Sequence, residues 1–470
     1  MLKAVVEPIT PLLTSLFNDI ITQKLVPEQW ETAMISLLYK KGDPKEIGNY
    51  RPISLLQTMY KLFTQLILRR ITPTLDFNQP REQAGFRAHF STVDHMFTLT
   101  QIIEKYSEFN KTIYIAFVDY AKAFDSVLHA PLWAALKEQG VCRQYIDILK
   151  EIYSKSKATL KLERKSDPFS IERGVRQGDP VSPKLFTALL EHIFRKLEWD
   201  SIGLNINGER LSNLRFADDI VLLSENHDEL QYMLRTLDEQ SRECGLAMNP
   251  EKTCILTNGE QKDILIQGTK MSYVSDYIYL GQNITMQGWA IKEVERRVAK
   301  AWNKYWSLKD VFKSKLPLRL KKKAFDSVVL PTLLYGCQTW PLTKLIINKL
   351  KVFQRSAERS MLGLKLTDRV RAVDIRRKTN LIDAVKMACS LKWRWAGHIS
   401  RVRDGRWSER VLHWQVRDAR RGRGRPRRRW ADDLVQLAGS TWTRLAGDRD
   451  KWKRMEEAYV QLWTSQTIEL

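Results

Sequence analysis

The stretch Leu214-Arg215-Phe216-Ala217-Asp218-Asp219-Ile220-Val221-Leu222-Leu223 decides how the chain is read. Two adjacent carboxylates stand between two apolar, β-favouring runs, which predicts a tight hairpin with Asp218 and Asp219 at its tip. Neighbouring side chains on a strand point to opposite faces, so a turn is needed to redirect the two acids. Two anions side by side repel, and one takes a proton unless a cation joins them. An isolated Asp-Asp pair would read as a polar turn. A second run well upstream, Thr112-Ile113-Tyr114-Ile115-Ala116-Phe117-Val118-Asp119, changes that reading, because it is rich in β-formers and ends in one aspartate. One acid at a strand end plus two at a hairpin tip is the layout of a two-metal phosphoryl-transfer site. Mg²⁺ suits such a site, since it takes a few carboxylates and completes its shell with substrate oxygens.

The flanking residues carry the pattern further. "FVDYAKAFDSV" (117–127), "GVRQGDPVSPKLF" (174–186) and "LRFADDIVLLS" (214–224) resemble, in order and separation, the palm of reverse transcriptases. More narrowly, they resemble the non-LTR (LINE-type) retrotransposon branch. The resemblance implies an α+β right-hand polymerase, with fingers and an antiparallel palm sheet over 1–285. A helical thumb over 286–370 and an Arg/Trp-rich nucleic-acid-binding region over 371–470 would follow. It implies RNA-directed DNA polymerisation, with an RNA template, a DNA primer or target, and dNTPs as substrates.

By the same resemblance, Asp119, Asp218 and Asp219 are the metal ligands for two Mg²⁺, with Mn²⁺ able to replace them. Phe124 falls where the family has its steric gate, a ring that would crowd a ribose 2′-hydroxyl; without the aligned Asp119 it would read as an ordinary core phenylalanine. Gln177 and Gly178 belong to the loop that brackets the incoming nucleotide. Arg51, in "NYRPISLL", maps to the fingers as a triphosphate contact; Lys40 and Lys41 nearby read equally as a solvated basic loop. Lys252, in "CGLAMNPEKTCIL", maps to a lysine that could protonate the leaving pyrophosphate, or is a turn lysine after Asn249-Pro250. "YIYLGQNI" (277–284) reads as a strand similar to the primer-gripping hairpin, with Tyr279, Leu280 and Gly281 toward the primer backbone. "QAGFR" (83–87) reads as part of a template channel, with Gly85 relaxing the backbone ahead of a helix capped by Ser91 or Thr92 and Arg87 as a phosphate contact.

Composition bounds these readings. Of 470 residues 43% are hydrophobic, enough for a large folded core, and 77 Lys+Arg against 54 Asp+Glu leave +23, which favours a polyanionic partner. The five cysteines are scattered without a CxxC pair and read as reduced thiols. No apolar run approaches the ~20 residues of a membrane span, and no apolar helical face accompanies the basic tail, so no membrane partner is expected. Helices are predicted at about 9–24, 129–139, 143–154, 180–199 and 227–243, and from residue 289 the apolar spacing turns helical.

The last hundred residues interleave tryptophan with arginine. Between 401 and 430 stand twelve arginines and three acids, which predicts phosphate contacts, with Arg423 and Arg425 resembling a minor-groove hook. Asp432-Asp433 follows a basic run and reads as a helix start. His398 and His413 lack paired cysteines, so zinc is not expected there. Nuclear residence would suit the basic tail and a DNA substrate. Relatives of this branch carry an endonuclease domain upstream, which this chain is expected to lack. Three rivals stand against the polymerase: a catalytically inactive nucleic-acid-binding relic, an RNA-copying RNA polymerase, and a group II intron maturase.

Overall fold

Residues 6–40, 42–162, 165–416, 419–422, 424 and 427–465 are described by a computed structural model. A five-stranded sheet stands at its centre, in spatial order Ser272–Tyr273, Cys254–Thr257, Tyr114–Val118, Asp219–Ser224, Asn213–Phe216. The middle strand Tyr114–Val118 runs antiparallel to both neighbours, with Val118 opposite Ile220 and Phe117 opposite Cys254.

Because side chains alternate along a strand, the sheet feeds two cores. Ala116, Val118, Ile220, Leu222 and Ile255 face one, packed with the helices Thr58–Asn78, Ser182–Arg195 and His227–Glu243. Ile115, Phe117, Val221, Leu223 and Leu256 face the other, with the helix Thr92–Glu108 and the helical second half of the chain. Burial on both faces explains why these strands read as continuous apolar runs. Each fully buried Ile, Val, Leu or Phe contributes about 1.5–3 kcal/mol, so the strand carrying Asp119 is among the most firmly held in the molecule.

A second, four-stranded sheet runs in the order Tyr50–Leu55, Thr32–Tyr39, Lys157–Leu160, Phe169–Ser170. It carries Arg51 at its outer edge, opposite Leu38. The helices expected at 129–139, 143–154 and 227–243 occur as His129–Glu138, Arg143–Ser154 and His227–Glu243. The helix placed at 180–199 is shorter, Ser182–Arg195, and the N-terminal one begins earlier, Val6–Gln23. "YIYLGQNI" is two strands rather than one: Asp276–Tyr279 and Gln282–Thr285 pair around Leu280 and Gly281. Both turn residues have left-handed φ, 46° and 80°, the requirement of a type I′ hairpin.

From Trp289 the chain is helical, through Trp289–Ser307, Leu318–Ala324, a π-helical turn at Phe325–Val329, and Lys344–Leu362. The core does not break at residue 370. Trp393, Trp407, Trp430, Trp442, Trp452 and Trp463 are buried in the same cluster as Phe97 and Ile102 of the helix Thr92–Glu108. Trp393 stacks on Trp452 with ring centroids 3.7 Å apart, and Phe97 meets Trp430 edge-on at 4.7 Å. The tryptophans of the tail are thus packing residues, and the interleaved arginines point outward or pair.

Candidate active site

Phe216 pairs with Asp219 across the hairpin, leaving Ala217 and Asp218 as the two loop residues. The tip is therefore Ala217-Asp218, one residue earlier than the sequence implied, and Asp219 opens the returning strand. Ala217 has φ 58°, a left-handed conformation that costs a non-glycine residue energy and persists only where the surroundings enforce it. The enforcing contacts come from residues 82–85. Arg215 N donates to Glu82 O at 2.8 Å, Ala84 N donates to Arg215 O at 3.0 Å, and the Gln83 side-chain oxygen accepts from Ala217 N at 3.3 Å and Gly85 N at 2.8 Å. A Cβ on Gly85 would lie 2.4 Å from Ala217 N. "QAGFR" thus buttresses the acidic hairpin. Its arginine, Arg87, donates to Pro80 O at 2.8 Å and lies over the Phe90 ring.

Continuing the ladder one residue past Val118–Ile220 sets Asp119 beside Asp219. The three aspartates therefore converge at one end of the central sheet. Asp218 and Asp219 are solvent-exposed at their tips yet lie in a recess of the protein. Desolvation there, reinforced by the other carboxylates, raises both above the usual carboxylate range, Asp219 to about 6. Lys40 opposes the rise at both, and Arg51 at Asp218, which puts these two cations of the second sheet within electrostatic reach of the acids. Lys41 lies outside the described residues. Lys252 stands with its ammonium 3.6 Å from Asp119 Oδ2 and its side chain largely in solvent, paired to the acid at the site's edge.

Phe124 lies in the short helix Ala123–Ser126, half-buried, stacked on Phe186 at 4.4 Å and edge-on to Phe86 at 6.5 Å. Next to it the loop 174–178 is bound between two elements: Val175 N donates to Phe124 O at 2.7 Å, and Ser54 N donates to Gln177 O at 2.8 Å. Gln177 donates its amide to Asp125 Oδ1 at 2.8 Å, so Asp125 orients this loop. Gly178, at φ 110°, has room for no side chain, since a Cβ would meet Ser54 O at 2.8 Å. Two charged residues of the same string are buried: Arg176 donates to Ser156 and lies over Tyr60, and Asp179 accepts from Tyr60 OH at 2.5 Å. They anchor the loop from beneath.

The hairpin at 276–285 lies under the acids. Tyr277 stacks on Phe117 at 4.1 Å, and burial, with Asp219 and Asp119 nearby, pushes its hydroxyl up to about 12. The Tyr279 side chain is turned inward, its hydroxyl 3.2 Å from His95 Nδ1, and is not available to a primer. What remains at the tip is backbone, and it is clamped: Leu280 O accepts from Tyr335 OH at 2.8 Å, and Gly281 O accepts from Arg296 and Arg297, both held by buried Glu293.

In the tail, Arg406 is buried against Asp94 at 3.1 Å and Asp404 at 2.6 Å, locking the tail onto the capping box of the helix Thr92–Glu108. Arg410 pairs with Glu209, and Arg421 and Arg429 with Glu108. Several of the arginines from which phosphate contacts were expected thus already have carboxylates, among them Arg406, Arg410, Arg421 and Arg429. Arg423 and Arg425 lie outside the described residues. Gln83, Glu293 and the arginine pairs went unnoticed in the sequence; only the Glu293–Arg297 spacing of four on one helix carried a local signal.

The model of the family "Reverse transcriptase (RNA-dependent DNA polymerase)" matches residues 39–284. The chain belongs to the reverse transcriptase family. Its match takes in the strand Tyr50–Leu55 that carries Arg51, the three aspartates and all but the last residue of the hairpin at 276–285. A transposon-derived protein of Caenorhabditis elegans is 31% identical over 268 residues, which are 53% of this chain and 96% of that protein. The Pol polyprotein of the type-1 retrotransposable element R2 of Popillia japonica is 27% identical, over 73% of this chain and 49% of its own length. The RNA-directed DNA polymerase of the mobile element jockey of Drosophila melanogaster is 23% identical, over 77% of this chain and 41% of its own. The chain thus spans half or less of these two retrotransposon relatives, and its reverse transcriptase belongs with the non-LTR retrotransposon polymerases.

Reverse transcriptases work with divalent metal ions on nucleic acid. The acidic cluster fits such an ion in kind: it offers hard oxygen donors, with Asp218 and Asp219 raised by desolvation and by neighbouring carboxylates and no guanidinium paired directly to either among the described residues. Among those residues no three His, Cys, Asp or Glu side chains already stand at ligating distance from one point. The aspartates are a partial donor set, of the sort that substrate oxygens complete.

Proposed function

We propose that this reverse transcriptase extends a DNA primer on an RNA template with dNTPs, using Mg²⁺ at Asp119, Asp218 and Asp219. The observation that carries the reading is the convergence of three carboxylates, two of them without a directly paired cation among the described residues, at the rim of a sheet buried on both faces. Two Mg²⁺ held there would activate the primer 3′-hydroxyl and neutralise the triphosphate. Lys40 and Arg51 face the acids across the site and are placed to bind the triphosphate, whose charge they complement. Phe124, fixed by Phe186, presents its ring edge where a ribose would lie and selects against a 2′-hydroxyl. Gln177 and Gly178 shape the nucleotide pocket through their bonds to Asp125 and Ser54. Lys252, beside Asp119, holds that carboxylate and is placed to pass a proton to departing pyrophosphate. Leu280 and Gly281 steady the primer through backbone, with the arginine clamp behind them.

The test is primer extension by the purified chain on an RNA template with an annealed DNA primer, Mg²⁺ and either dNTPs or NTPs. Extension with dNTPs only, and gain of NTP use by Phe124→Val, is the expected result. Salt-sensitive template binding with no extension under any nucleotide would favour the inactive relic instead.

A further inference from the structure

A cleft of about 760 Å³ opens far from the aspartates. Thr112 and Ile113, which lead into the central strand, line it, whereas Asp119 ends that strand. Six residues of extended chain at ~3.3 Å each separate the two places by about 20 Å. The cleft's size is that of a small-ligand site.

Its walls are bipolar. One side carries Arg421, Arg427, Arg428 and Arg429. Arg421 is paired with Glu108 at 2.8 Å, and Arg429 with Asp432 at 2.9 Å and Glu108 at 3.7 Å. Arg427 and Arg428 are exposed and have no carboxylate partner among the described residues; Arg428 lies over the Trp463 ring at 4.8 Å. The same cleft is lined by the start of the 19-residue helix Trp289–Ser307, whose N-cap is Gly288, with no side-chain cap and no acid in its first turn. Open space adjoins that end, since a Cβ on Gly288 would meet nothing within 4 Å. The positive pole of the helix thus adds to the two free guanidiniums. Deeper in, Glu104 accepts from Trp430 N at 2.8 Å, and burial pushes its carboxyl up to about 7.

An all-anionic ligand would meet Glu104 and Glu108 inside; an all-cationic one would meet the arginines at the mouth. A ligand with an anionic group at one end and N–H donors on a flat ring at the other satisfies both. We propose that this cleft binds one or two unpaired nucleotides of a nucleic-acid strand, phosphate on Arg427 and Arg428 and base edge toward Glu104. The site is separate from the polymerising one and rests only on nucleic acid being a ligand of this chain, not on its catalysis.

The test is fluorescence anisotropy of the full chain with labelled single-stranded RNA hexamers, without primer, dNTPs or Mg²⁺. Arg427→Glu/Arg428→Glu is expected to weaken binding about tenfold or more and to flatten the salt dependence by one to two charges. Lys137→Glu/Lys150→Glu, the same charge change on exposed residues of other helices, is expected to have a much smaller effect. Glu104→Gln should keep the salt dependence and narrow the differences among homopolymers, a readout that a purely structural role would not move. Unchanged affinity in the arginine variant, or equal loss in both charge reversals, would overturn the proposal. Because primer extension is read separately, loss of either activity alone identifies which site has failed.

Discussion

Two Asp-Asp pairs occur in this chain, and their surroundings are opposite. Asp218-Asp219 straddles a hairpin tip and the start of its returning strand, with cations only at a distance and with its carboxyls raised by desolvation and by neighbouring carboxylates. Asp433 is fully buried: Lys392 donates to both its oxygens at 2.9 Å and Tyr459 OH donates to one at 2.8 Å, while Asp432 holds Arg429. The same dipeptide is a charge awaiting a partner in one place and a completed ion pair in the other. What separates a reactive acid from a structural one is how its charge is met.

The largest effect on stability should come from breaking the completed pair. Asp433→Ala strands the Lys392 ammonium in a site with no water access and should cost about 3–5 kcal/mol, read as a lower urea midpoint. A midpoint within error of the parent would contradict the description of that pair as buried and mutually dependent. Next is the support of the open pair. Gly85→Ala drives a methyl into the Phe216–Ala217 peptide and should cost about 1–3 kcal/mol, with primer extension falling further than stability does, because the displaced peptide leads directly into Asp218. Extension that tracks the stability loss alone would mean that residues 82–85 do not position the acids.

The smallest effect is a pH signature at the open pair. A carboxyl raised to about 6 in the folded state binds its proton more tightly than in the unfolded chain. The native state is therefore penalised above that pH, and the penalty vanishes as pH falls toward the ordinary carboxylate range. Asp219→Asn in EDTA should melt above the parent at pH 7.5 and converge with it by about pH 4. His95 supplies the opposite sign. Its ring, buried and held near pKa 4, contributes stability that is complete above the usual histidine range and is lost as pH falls through it.

The reach of the sequence follows the reach of the interactions. The acidic hairpin, the strand ending in Asp119, the helices at 129–154 and 227–243 and the Ser91 cap were legible because each depends on residues a few positions apart. The tail was misread where it depended on distant ones. Arg406 counts as a surface cation until Asp94, over three hundred residues earlier, is brought beside it. The sequence shows tryptophan interleaved with arginine, and only the fold brings Trp393 and Trp430 into one core with the helix Thr92–Glu108. Tyr279 was aligned with a primer contact, yet the alternation of its own strand turns it into the core toward His95. Gln83 had no signal at all, since its role is to satisfy a strained turn more than a hundred residues away.

The most direct test of the central claim compares the two pairs in one assay. Primer extension on an RNA template with dNTPs and Mg²⁺ is measured for Asp218→Asn and Asp432→Asn, each normalised to folded protein. Removing a ligand worth several kcal/mol of charge stabilisation should lower extension by Asp218→Asn about a thousandfold, while Asp432→Asn extends like the parent. Comparable extension by both variants, or a loss confined to Asp432→Asn, would contradict the assignment of the uncompensated pair as the polymerising site.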